Sequence, residues 1–280
     1  MRARVTKSVA VAAVVASSAC LFPSLDFGPS DAAEDAALDA NADVADTGAA
    51  ETEASAPDAG PFCASLSPKP VFCADFDEGS VTAGWDDTLL DQGTVTLSTT
   101  TSVSSPAAAL AQTPAAQTGY PVAALEKKFP QPTGDVVVAF DVDLETTDPN
   151  APYTKLLALS FDGNNPPFVF YLQIPDPSHV DVALAVPQAD GGEAYDDFGV
   201  AGLPQLGKWT HVEVDLFKST TDATMASGQV LFDGSAVIPK FDFGSSAALG
   251  NVTLAVGLVG ANAPTNPWSV YVDDVTYDVR

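Results

Sequence analysis

Asp141, Asp143 and Glu145 recur on alternate residues, as do Glu213 and Asp215, so each set would stand on one face of an extended strand. Carboxylates placed this way can share general acid and base work. Aromatic rings beside acids and amides offer a second chemistry, because rings stack on the C–H faces of sugars while polar neighbours meet the hydroxyls. Tyr171, Tyr195 beside Asp196 and Asp197, and Trp268 after the turn-rich stretch from Asn262 to Pro267 are the carbohydrate-binding candidates. Other chemistries lack their residues. The two histidines, His179 and His211, lie in strand patterns away from any Gly-x-Ser-x-Gly turn or Cys-His pairing. Zinc would need several His or Cys ligands, and Asp190-Gly191-Gly192 is a turn rather than a phosphate loop. Duller roles compete for the same residues. In so acidic a chain, alternate carboxylates also arise as a solvated sheet face, and loop aromatics as lids over a core.

The chain carries 37 acidic and 11 basic residues, a net charge of −26. Ten of the acids, from Asp26 to Asp58, fall between Ser24 and Gly60 with no Lys or Arg among them. Such a stretch cannot bury enough apolar surface to offset its ordering entropy, and its like charges repel, so it reads as an extended tether. From Pro61 onward eight basic residues face the remaining 27 of the 37 carboxylates, and only Lys127 and Lys128 are adjacent. Nucleic acid is excluded as a partner, since a phosphate backbone needs clustered cations.

The N-terminus has its own logic. Arg2, Arg4 and Lys7 precede an apolar run from Val9 to Ala16 that is too short to span a bilayer, which is the pattern of a signal peptide. Ser17-Ser18-Ala19 is small enough for a peptidase groove, and Ala19-Cys20 resembles the lipobox of bacterial lipoproteins, with Ser17 where that family usually has Leu. The resemblance implies lipidation at Cys20. With Leu21 next and no retention Asp, it also implies a cell-envelope destination at the outer membrane or cell surface. If Cys20 carries lipid, Cys63 and Cys73 remain as a disulfide pair, which suits an oxidising compartment. A plain cut near Ala19 that leaves Cys20 as an odd thiol, or an uncleaved anchor, are the alternatives. The expected organisation is a signal peptide over 1–19, a lipidated cysteine and tether over 20–60, and one domain over 61–280.

Period two dominates that domain. Phe140, Val142 and Leu144 alternate with Asp141, Asp143 and Glu145, and His211 to Phe217 repeats the pattern. Further strands are expected at Thr94 to Thr99, Pro121 to Phe129, Thr154 to Phe161, Pro167 to Ile174, His179 to Val186, Gly228 to Asp233, Asn251 to Gly260 and Ser269 to Val279. Asp-Gly, Pro-Pro, Gly-Gly and Asn-Pro turn signals separate them, and no long stretch reads as an amphipathic helix. The fold class is all-β, a two-sheet antiparallel sandwich, with a closed barrel as the lesser option.

Gly207-Lys208-Trp209-Thr210-His211-Val212, followed by Gly228 to Gly234, resembles the paired strands of concanavalin A-like and laminin-G-like (LamG-like) jelly rolls. In that pattern Trp209 opens a strand and roofs the core, and Asp233-Gly234 makes a tight turn. Asp75 to Gly79 with Trp85, and Tyr271 to Val275, are similar to the opening and closing strands of jelly-roll carbohydrate-binding modules. The resemblance implies a place for structural calcium built from Asp75, Asp77 or Glu78 with Asp273 or Asp274. The closing strand poses a puzzle of its own, because either phase of its alternation turns Asp273 or Asp274 toward the core. Asp at a strand end, bonded to backbone amides, is the alternative to metal. The jelly-roll resemblance also gives the alternate carboxylates a meaning, since glycoside hydrolases of this fold carry a Glu-x-Asp-x-Glu strand. Asp141, Asp143 and Glu145 have the spacing but begin with the shorter acid, and Glu213, Asp215, Phe217 lacks the last one.

The expected protein is a membrane-anchored envelope lipoprotein presenting a noncatalytic jelly-roll module for glycan binding or adhesion. An atypical retaining glycoside hydrolase and a structural surface-coat protein with no specific ligand are the alternatives.

Overall fold

The computed structural model describes residues 61–280 apart from 116–118, 149–152, 164–166, 177, 188–192, 222 and 262–263. The expected signal peptide, the expected lipidation site Cys20 and the expected tether lie outside the described residues. A one-turn helix, α1 (Phe62–Ser65), precedes β1 (Phe72–Ala74), β2 (Asp87–Asp91), β3 (Thr94–Ser98), β4 (Ala108–Thr113) and β5 (Val122–Phe129). Then come β6 (Val136–Thr146), β7 (Thr154–Phe161), β8 (Phe168–Asp176), β9 (His179–Pro187) and β10 (Glu193–Gly202). The last five are β11 (Thr210–Lys218), β12 (Thr224–Phe232), β13 (Ser235–Ala248), β14 (Val252–Gly260) and β15 (Trp268–Val279).

They form two antiparallel sheets. Sheet A runs β13-β12-β11-β6-β15-β4-β3, with β1 also paired to β15, and sheet B runs β10-β9-β8-β7-β14-β5-β2. This is the jelly-roll sandwich the sequence predicts. Alternation sets the layers: Val136, Val138, Phe140, Val142 and Leu144 of β6 are fully buried between the sheets, opposite Leu157, Leu159, Phe161 and Val252, Leu254, Val256 of sheet B. Phe129 stacks on Tyr277 with ring centroids 3.8 Å apart, closing one end of the core. Cys63 and Cys73 are disulfide-bonded, which ties α1 to β1.

Two local devices shape the hairpin turn and the closing strand. Asp233 and Gly234 both take positive φ, 49° and 75°, and form the two-residue turn between β12 and β13. In β15 an irregularity falls between Asp273 and Thr276, and Asp274 has φ 51°. That extra residue resolves the closing-strand puzzle. Val270 and Val272 face the core before it, Val275 and Tyr277 face the core after it, and Asp273 pairs with Asp141 on the outer face.

Strands that the sequence pattern leaves unread are β2, β4, β10 and β13. β4 is Ala-rich, so it lacks the β-branched signature of a strand. β10 and β13 are edge strands with Gly, Ser, Asp or Pro inside them, residues that read as turns when no partner strand is in view.

Candidate functional site

Sheet B has an outer face built by the odd residues of β8. Phe168, Phe170, Leu172 and Ile174 point inward and are buried, which turns Tyr171 and Gln173 outward. Tyr171 has Ala158 and Ala183 as its cross-strand partners. One row further along, Lys155, Gln173 and Asp181 are successive partners across β7, β8 and β9. A groove of about 440 Å³ opens there, lined by Tyr120, Tyr153, Lys155, Gln173, Asp197 and Val259.

Its parts differ in character. Tyr120 and Tyr153 are exposed at 64% and 49%, an unusual state for large aromatic residues and one that leaves ring faces available for stacking. Tyr153 holds φ 61°, a left-handed conformation uncommon for an aromatic residue. The Lys155 ammonium sits 3.7 Å from the centroid of the Tyr171 ring, a cation–π contact that fixes the amine at the groove. Gln173 and Asp181 are buried, and the Gln173 amide hydrogen-bonds the Asp181 carboxyl. The other carboxyl oxygen, Oδ1, is buried with no hydrogen-bond partner among the described residues. Burial pushes the Asp181 carboxyl up to about 6, with the charges of Asp197 and Asp176 adding to the shift and the Gln173 hydrogen bond opposing it. Asp176 behaves oppositely. Hydrogen bonds from Ser178, then from His179, hold it down at about 2.

The carboxylates predicted as a catalytic strand lie on the other sheet. Asp141, Asp143 and Glu145 share the outer face of β6. His211 of β11 is Asp141's cross-strand partner, and its Nδ1 lies 3.2 Å from Asp141 Oδ1. This bond raises the histidine above its ordinary value against the opposing effect of burial. Asp143 is raised by burial and by Glu145, with the Gly207 backbone amide pulling the other way. None of the three lines the groove.

Of the calcium candidates, Asp75, Asp77, Asp273 and Asp274 are brought close enough for Asp75 and Asp77 to act on Asp274 by charge, and several oxygens of Asp75, Asp273 and Asp274 accept hydrogen bonds. Asp75 accepts from the Cys63 backbone N–H at 2.9 Å. Asp273 Oδ2 accepts from the N–H groups of Val103 and Ser104, and its Oδ1 from the N–H of Asp274. The Ser104 hydroxyl donates to Asp274 at 2.6 Å. Burial lifts Asp273 to about 8, with Asp274 adding repulsion, and lifts Asp274 to about 7, with Asp141, Asp75 and Asp77 adding theirs. Glu78 is exposed. Among the described residues no group of three or more His, Cys, Asp or Glu is arranged to hold a metal ion.

Two aromatic expectations need correction. Trp268 is 1% exposed at the start of β15, so it offers no platform; its strand position, in phase with Val270 and Val272, turns it into the core. Trp209, expected in the core, is half-buried and sits 6.3 Å from the Tyr271 ring, outside the inter-sheet layer. Tyr195 lies in β10 rather than a loop, and its side chain is outside the described residues. Tyr171 does reach the groove region, through Lys155. Sequence reading missed Tyr120, Tyr153, Lys155, Gln173 and Asp181 as a set. The signal was present in the outward residues of the two neighbouring strands, which become selectable only once their inward phase is fixed.

No protein-family model matches the chain, and no curated protein matches it. Among solved structures it is similar to an endo-β-1,4-glucuronan lyase from the fungus Trichoderma reesei, with TM-score 0.60 and 14% identity over 75% of this chain and 96% of that one. It is also similar to the cellulose-induced protein Cip1, with TM-score 0.55 and 17% identity over 75% of this chain and 97% of that one. At these identities the likeness shows the jelly-roll fold.

Proposed function

We propose that this chain is a lipid-anchored envelope protein whose jelly-roll domain binds a glycan in the groove on the outer face of sheet B. The observation that carries the reading is the groove itself, where exposed Tyr120 and Tyr153 frame Lys155, the buried Gln173 amide and the Asp197 carboxylate. Rings supply stacking surfaces, and the polar row supplies directional bonds to hydroxyls. The two similar folds, one a glucuronan lyase and one induced by cellulose, support a glycan as the ligand class. The signal-peptide pattern and Ala19-Cys20 support the anchor.

A glycan array probed with the full mature chain tests the binding. One defined glycan should be retained, and Tyr153→Ala should weaken it; an array with no retained glycan favours the surface-coat alternative. Palmitate labelling that fails on the wild-type chain, or persists in Cys20→Ser, rejects the anchor.

A catalytic reading is favoured by one observation, the buried Asp181 carboxyl raised to about 6 in the same cross-strand row as Lys155, with Gln173 between them, where a group can exchange protons near neutral pH. Release of unsaturated oligosaccharide from a bound polyuronate would establish it. The retaining-hydrolase alternative stands on Asp141 and Glu145, and undiminished glucan cleavage by Asp141→Asn rejects it.

A further inference from the structure

Register gives the charges around the groove, because residues paired directly across neighbouring strands share a face of the sheet. One outer row of sheet B runs Glu126, Ala255, Ala158, Tyr171, Ala183 and Asp197, across β5, β14, β7, β8, β9 and β10. The row beside it holds Lys155, Gln173 and Asp181, and on the other side of the first row stands Lys128, the partner of Thr253. Among the described residues these rows hold two lysines, and both are engaged. Lys128 bridges Glu126 of its own strand at 2.9 Å. Lys155 rests 3.7 Å from the centroid of the Tyr171 ring. The acids are less well matched. Asp197 is exposed, and its carboxylate has no hydrogen-bond or ion-pair partner among the described residues. The charges that act on Asp181 are those of Asp197 and Asp176, both negative.

Of the residues that line the groove, Lys155 is the one base and Asp197 the one acid. A sugar hydroxyl suits this layout, since it donates to a carboxylate or accepts from an ammonium without bringing a charge of its own. The exposed rings of Tyr120 and Tyr153 take the C–H faces. A polyuronate suits it badly. One of its carboxylates could meet Lys155, but it bears one on every ring, and the lining has no second lysine or arginine for the next. Unmatched carboxylates would then stand against Asp197, and like charges set together at a binding surface suppress the complex. The net charge of −26 opposes a polyanion during its approach as well, over a Debye length of about 8 Å at physiological salt. A polycationic glycan meets the reverse difficulty at Lys155.

We propose that the groove is selective for an uncharged glycan, with Asp197 accepting from one sugar hydroxyl and Lys155 donating to another, and that it discriminates against polyuronates and polycationic glycans alike. The proposal rests on the glycan-binding reading of the groove and adds the charge class of the ligand. It makes the polyuronate that the catalytic reading requires a disfavoured ligand.

The test compares oligosaccharides of matched length by calorimetry on the full mature chain, at low and at high salt. Oligomers of glucose, mannose and xylose are the neutral probes, oligoglucuronate the anionic one and oligoglucosamine the cationic one. At least one neutral oligomer should bind saturably, with an affinity indifferent to salt and about tenfold or more above that of either charged oligomer at low salt. Oligoglucuronate should gain affinity as salt screens the repulsion. Tyr153→Ala should weaken the neutral oligomer, which ties the binding to this groove. Asp197→Lys changes an exposed position on an edge strand and supplies the missing cation. Oligoglucuronate should then gain about tenfold while the neutral oligomer weakens. A charged oligomer that binds wild-type protein as tightly as any neutral one, or an unchanged ratio of uronate to neutral affinity in Asp197→Lys, overturns the charge assignment and leaves the glycan groove standing. Failure of every oligomer to bind overturns both.

Discussion

Gln173 on β8 and Asp181 on β9 stand directly across from each other, both buried, with the amide bonded to one side of a carboxyl whose other oxygen has no partner among the described residues. Because burial holds Asp181 at about 6, the folded chain keeps a proton that the unfolded chain has released. Its contribution to stability is full below the ordinary carboxylate range and is lost as pH rises through 6. Gln173→Leu removes the bond that makes the ionised form tolerable. We expect a loss of about 1–3 kcal/mol at pH 8 and a smaller loss at pH 5, read from urea unfolding at both values. An equal loss at both would show that the amide serves packing alone.

The same sign applies with greater weight at the bulge of β15. Asp273 and Asp274 are raised to about 8 and about 7, chiefly by burial, so protons stabilise the fold here and ionisation opposes it. Melting temperature should rise as pH falls from 8 to 5, and Asp274→Asn should flatten that rise. Ser104→Ala removes the hydroxyl that bonds Asp274 and should destabilise most at pH 8. Calcium tests another way of discharging these carboxylates. Metal that raises the melting temperature at pH 8 and not at pH 5 gives them the cation-binding role the jelly-roll resemblance suggests. A melting temperature indifferent to calcium and chelator leaves that role to the proton.

How far the sequence spoke depended on periodicity. β6 and β11 were legible because apolar and acidic residues alternate without interruption, and Asp233-Gly234 because a two-residue turn with positive φ admits few residue types. The Asp273 puzzle was posed correctly by alternation, yet its answer, a one-residue bulge, is a backbone event that side-chain pattern does not encode. The groove was less legible still. Lys155, Gln173 and Asp181 lie on three strands, and only register places them in one row. Trp268 misled for the opposite reason: the Pro and Asn residues before it mark a real turn, but the strand begins at the tryptophan itself.

The disulfide closes a short loop of sequence separation 10 and joins α1 to a three-residue strand. β1 has few backbone bonds of its own, and Phe72 depends on it to reach Trp85, 5.0 Å away in an edge-on contact. The paired Cys63→Ala and Cys73→Ala variant should lose roughly 2–3 kcal/mol by chain entropy, measured by denaturant unfolding. It should also expose Trp85, with a red shift of its fluorescence. Unchanged stability would mean that β1 is held by its packing against Tyr277 and Phe129.

Two glycines should respond unequally to the same substitution. Gly234 has φ 75° and nothing within 4 Å of where a Cβ would stand, so Gly234→Ala bears only the left-handed conformation, about 1–2 kcal/mol. Gly257, in the middle of β14, has φ 121°, and an added Cβ would fall 2.8 Å from the Ala123 carbonyl oxygen and 3.3 Å from the Ala124 Cα. Those atoms belong to β5, the paired strand, and cannot retreat without breaking the ladder. Gly257→Ala should therefore cost about 4 kcal/mol or more, and the difference in urea midpoint between the two variants measures how closely β14 and β5 are packed. Equal midpoints would mean that β5 yields, and that the sheet beneath the groove is looser than its register implies.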